Sequence, residues 1–82
     1  MNFIDILKSA KRWWHQEHQN MPLLPEARVI TGRPYQDAFL HHMLVKHGLE
    51  FVLKKTPNGN WVFINHKVVD EQKYIWFIMK WA

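Results

Sequence analysis

Hydrophobic positions along the chain fall into two helical patterns followed by a stretch that alternates. Between residues 3 and 19, Phe3, Ile6, Leu7, Ala10, Trp13 and Trp14 recur three and four apart, which places them on one side of an α-helix. Asn2 stands where an N-cap belongs and Asp5 falls in the first turn, so the start of this helix is marked by chemistry as well as by period. A second helix is predicted from Pro34 to His47, with proline at its first position and Gly48 just past its end. Its apolar stripe is Phe39, Leu40, Met43 and Leu44, widened by Tyr35 and Ala38, while His41 and His42 fall on more polar sides.

Residues 49–82 read as three antiparallel strands. Asn58-Gly59 is a strong hairpin signal, because both residue types tolerate positive φ. A two- or four-residue loop centred there pairs Leu49 with Val68, Phe51 with His66, Leu53 with Ile64 and Lys55 with Val62, which keeps one face almost wholly apolar. A polar turn at Asp70-Glu71-Gln72-Lys73 then brings Ile75, Phe77, Met79 and Trp81 to the same face. The opposite face receives Trp61, Phe63, Tyr74 and Trp76 together with Lys54, Lys67 and Lys80, beside the aliphatic Val52 and Ile78.

Residues 20–33 contain Pro22, Pro25 and Gly32, which bar a long helix. A short edge strand over 28–31 is slightly favoured there, since Val29, Ile30 and Thr31 suit a pleated surface. The competing reading, a short helix over 25–30, would give the helix, turn, helix and hairpin order of a winged helix-turn-helix. The expected fold is a single compact α+β domain over residues 1–82, with two helices packed on one face of a three-stranded antiparallel sheet.

Composition narrows this picture without naming a function. With 82 residues there is one core, and at 15% aromatic with five Trp, large rings must supply much of its burial. The absence of Cys excludes a disulfide framework and a thiolate zinc site. A net charge of +4 suits nucleic acid or an acidic protein surface and demands neither. Asp5 interrupts the first apolar run, no small-residue cleavage pattern follows it, and no run is long enough to span a bilayer, so a cytoplasmic protein without a membrane partner is expected.

Chemistry-bearing clusters are weak. His15 and His18 lie one turn apart, but Glu17, His41, His42 and His47 complete no recognised zinc spacing, so neither metal nor another cofactor is expected. Asp37 and His41, four apart, read as a helix contact, and His66 as a hydrogen-bonded histidine of the core face. A nuclease built from His66, Lys67 and Lys54 fails in the predicted register, where the histidine points away from both lysines. No catalytic residue is assigned, and the chain reads as a non-enzymatic binding protein.

The stronger candidate is the aromatic and basic face. Trp61, Phe63, Tyr74 and Trp76 offer flat surfaces for unpaired bases, with Lys54, Lys67 and Lys80 for phosphates, although Glu50 opposite Lys67 offers an ion pair instead. Lys8, Lys11, Arg12 and His15 form a basic stripe on the first helix, which is a phosphate contact or a solvated face. The alternative function is a protein-interaction module, such as a small inhibitor or adaptor, anchored in a partner by the same rings. The structural alternative covers that face with residues 20–33 or with a second subunit of a homodimer.

Overall fold

The computed structural model describes residues 2–20 and 29–81. In chain order they form helix α1 (Phe3–Glu17), a 3-10 turn (His18–Asn20), helix α2 (Pro34–His47), strands β1 (Leu49–Lys55) and β2 (Trp61–Val68), and helix α3 (Glu71–Trp81). The class is α+β. The sheet of the described residues has two strands, and the third expected strand is a helix.

The first two helices obey their end signals. Asn2 Oδ1 accepts the Asp5 N–H at 2.9 Å, satisfying a donor that the first turn of α1 leaves open. Gly48 closes α2 at φ 62°, its N–H reaching the Leu44 carbonyl at 3.2 Å. Ile6, Ala10, Trp13 and Trp14 of α1 meet Phe39, Leu40 and Met43 of α2 in one core, joined by Leu49 and Phe51 of β1 and Phe77 of α3. His42, expected on a polar side, is buried in that core, because Trp14 lies against its flank of α2 with ring centres 5.4 Å apart.

No strand forms over residues 29–31. They bend, and the bend is held by the Asp37 carboxylate, which accepts the Thr31 N–H at 2.9 Å, the Thr31 hydroxyl at 2.8 Å and the Gly32 N–H at 3.2 Å. Asp37 therefore serves the loop rather than His41. Burial works to raise its pKa, but hydrogen bonds from residues 30–32 outweigh burial and hold it below the ordinary 3.8. Residues 25–28, which hold most of the short-helix reading and the first residue of the edge-strand reading, lie outside the described residues.

The hairpin differs from its expected register for one local reason. Thr56 accepts the Gly59 N–H at 2.9 Å and donates to the Asn60 carbonyl at 2.7 Å, so the loop holds three residues and is centred on Asn58. Only Gly59, at φ 84°, takes the left-handed conformation there; Asn58 does not. An odd loop sets Lys55 against Trp61, Lys54 against Val62 and Leu53 against Phe63. The expected pairs Val52–Asn65, Phe51–His66 and Leu49–Val68 return only after a bulge that leaves Ile64 unpaired. Phe63 and Trp61 consequently turn to the core side, and Phe63 stands edge-on to Phe51 with ring centres 5.6 Å apart.

Helix α3 replaces the third strand because Asp70 starts a helix. Asp70 Oδ1 accepts the Lys73 N–H at 3.2 Å, and the Asp70 carbonyl accepts the Tyr74 N–H at 3.0 Å. Tyr74, Phe77, Ile78 and Trp81, spaced three and four apart, face inward, while Ile75, Trp76 and Met79 are exposed. At the far end an Arg12 Nη donates to the Trp81 carbonyl, placing a cation at the negative end of the helix dipole.

Candidate functional site

An open groove of about 550 Å³ runs between the end of α2 and α3. Its lining combines Trp76, Trp81, Trp13 and Phe77 with three ammonium groups, those of Lys46, Lys73 and Lys80. Lys73, Trp76 and Lys80 stand at i, i+3 and i+7 of α3, so the helix itself arrays cation, ring and cation along one face. Lys73 is anchored, its Nζ donating to the Val45 carbonyl at 2.9 Å in the last turn of α2. Lys80 Nζ lies 5.9 Å from the centre of the Trp81 ring. Trp76 projects outward, 66% exposed, beside Met79 at 74% and Ile75 at 55%.

The floor of the groove carries an imidazole held neutral. His47 lies 4.4 Å, centre to centre, from Trp13 and 4.6 Å from Phe77, and its buried Nε2 has no hydrogen-bond partner among the described residues. Burial, then the charges of Lys46 and Lys80, lower its pKa from 6.5 to about 4. His42 is shifted the same way by burial, Lys46 and His41. A histidine whose folded pKa lies below its unfolded value costs stability as pH falls from about 6.5 towards 4, since the unfolded chain takes up the proton first. Asp37, depressed from 3.8, loses its contribution only below that value, so the window above pH 4 belongs to the histidines. Thermal melts are expected to show a loss of about 1–2 kcal/mol between neutral pH and pH ~4.5, after discounting for solvent at the half-buried ring. His47→Leu should remove most of that slope. An unchanged slope would place the titrating group elsewhere.

The sequence-derived candidates scatter over the molecule. Trp76 and Lys80 share the α3 groove, whereas Tyr74, two residues before Trp76 and so on the far side of the helix, packs inward. Trp61 is half-buried on the inner side of the sheet and Phe63 packs between Phe39 and Phe51. Lys54 and Lys67 are exposed on the outer side, Lys67 across from Glu50. The single aromatic and basic sheet face therefore does not exist: the three-residue loop and the bulge turn its β2 rings inward, and α3 carries its remaining rings elsewhere. The basic stripe of α1 is divided as well. Lys8 is exposed, Lys11 Nζ stands 5.4 Å over the Phe63 ring, and Arg12 caps α3.

Lys46, Lys73 and Met79 were not among the candidates, His47 was weighed only as a metal ligand, and the signal that leads to Lys73 is Asp70. Reading Asp70 as a helix cap places Lys73, Trp76 and Lys80 on one face without further information. His66 stacks on Phe3, ring centres 5.8 Å apart, and its buried Nδ1 finds no partner among the described residues, contrary to the hydrogen-bonded histidine expected. Among the described residues no three His, Asp or Glu side chains converge as metal ligands, and no helix is long and apolar enough to cross a membrane. Comparison with known proteins finds no matching family model, no matching curated protein and no matching solved structure.

Proposed function

We propose that the protein is a non-enzymatic binding protein that takes single-stranded nucleic acid along the α2–α3 groove. The observation that carries this reading is an exposed Trp76 framed on its own helix by Lys73 and Lys80 and across the groove by Lys46. A base stacks on the indole whatever its identity, and ammonium groups on either side meet the backbone phosphates. Specificity for sequence is not expected, because the groove offers rings and point charges rather than paired donors and acceptors.

Fluorescence anisotropy of a labelled oligothymidylate tests it. Binding should fall by on the order of tenfold between about 50 and about 200 mM salt, the slope for two or three phosphate contacts on a single strand. Trp76→Ala should weaken binding by about tenfold or more, and Lys46→Gln with Lys80→Gln should flatten the salt dependence. Oligonucleotide binding that is absent, or indifferent to Trp76, overturns the reading.

A second reading rests on Ile75, an exposed aliphatic side chain outside the groove lining that a nucleic acid in the groove would leave uncovered. With Trp76 as anchor it fits the groove of a partner protein, as in a small inhibitor or adaptor. Such a complex would change little with salt and would lose affinity on Ile75→Ala, which nucleic-acid binding would not.

A further inference from the structure

A second concavity lies on the other side of α1, between α1, the start of α2 and β2, and nothing in the groove reading uses it. It encloses about 320 Å³ and is lined by Trp14, Tyr35, Phe39 and Phe63 with Lys11, His15 and Gln36. Its wall is built of rings that hold one another. Trp14 meets Tyr35 at 5.5 Å and Phe39 at 5.8 Å, and Phe39 meets Phe63 at 6.2 Å, each pair edge to face. Rings braced in this way lose little freedom when a ligand settles against them, so the site is prepared before binding.

The polar groups are distributed unevenly. Lys11 and His15 stand four apart on α1, and Gln36 and the Tyr35 hydroxyl belong to the start of α2. Lys11 Nζ is held 5.4 Å from the centre of the Phe63 ring, a cation parked on an aromatic wall where an anion would draw it away. Among the described residues Trp14 adds a buried indole N–H with no acceptor. Among the described residues no Asp or Glu lines the pocket.

We infer that this pocket binds a small planar aromatic anion, one or two fused rings carrying a single acidic group, with the rings against Tyr35, Phe39 and Phe63 and the acid on Lys11. The volume sits at the lower end of small-molecule sites, about 300–1,000 Å³, which limits the ligand to that size. Charge selects the anion: among the described residues the one formally charged side chain in the lining is the Lys11 ammonium.

Titration of 2-naphthoate into the ¹⁵N-labelled protein tests the assignment, with 2-naphthylmethanol as the uncharged control. Saturable shifts are expected at residues 11, 15, 35, 36 and 63, and binding of the alcohol should be about tenfold weaker, the scale of one charge-assisted contact. Lys11→Gln should reduce naphthoate affinity to that of the alcohol. Tyr35 is exposed, so Tyr35→Ala leaves the core in place and should weaken both ligands. Trp76→Ala should change neither, which separates this pocket from the α3 groove. Equal affinity for acid and alcohol, shifts centred on α3, or no saturable shift would each overturn the inference.

Discussion

Gly48→Ala is expected to lower the stability of the protein by about 3–4 kcal/mol, read from the midpoint of a urea titration. Two costs combine. A Cβ at φ 62° pays the left-handed penalty of about 1 kcal/mol. The same atom would stand 2.6 Å from Asp70 Cβ and overlap the Asp70 carbonyl oxygen, both fixed at the start of α3. The strand ends cannot easily separate to relieve this, because the Gly48 carbonyl accepts the Val69 N–H at 2.8 Å and the Asp70 N–H at 3.3 Å. Gly48→Asn distinguishes the two costs. Asparagine tolerates the left-handed region but carries the same Cβ, so it should remain nearly as destabilised as alanine. Near-wild-type stability of the asparagine variant would mean that Asp70 does not approach Gly48 this closely.

Phe77→Ala is expected to cost about 3–5 kcal/mol, the range for deleting a buried aromatic side chain. Its ring is 2% exposed and packs against His47 at 4.6 Å, so the surrounding helices cannot collapse around the loss without moving α3. Met79→Ala, two residues on, should fall within about 0.5 kcal/mol of wild type, as exposed substitutions do. The contrast tests the helix directly. In a strand Phe77 and Met79 would share a face and fail together, whereas in α3 Phe77 shares its face with Tyr74, Ile78 and Trp81. A Met79→Ala loss comparable with that of Phe77→Ala would contradict the helix. Trp76→Ala belongs with Met79 for stability, which is why its effect on oligonucleotide binding reports on the groove and not on the fold.

The groove depends on both of these features. Gly48 brings the C-terminus of α2 to the N-terminus of α3, and Phe77 seats α3 beside His47, so that Lys46 from one helix faces Trp76 and Lys80 from the other. The lysine that bridges them, Lys73, donates to the last turn of α2 and so contributes to the corner as well as to the charge of the groove.

By itself the sequence determined α1 and α2, because each carries its instructions locally: Asn2 before Phe3, Pro34 at a first turn, Gly48 at an end, and apolar residues at one unambiguous period. It determined the far half of the hairpin register too, Leu49 with Val68 and Phe51 with His66. Residues 74–81 carry apolar side chains at every position except Lys80, so a period of two and a period of 3.6 fit equally, and the pattern contains no choice. Asp70 offers a local cap that tips the choice towards helix, and tertiary structure completes it by seating Asp70 against Gly48 and Phe77 in a core that α1 and α2 leave open. The same holds for the faces of β2. Whether Trp61 and Phe63 point in or out turns on one residue of loop length and a bulge at Ile64, and the packing of Phe51 of β1 against Phe39 of α2 rewards the arrangement that adds Phe63.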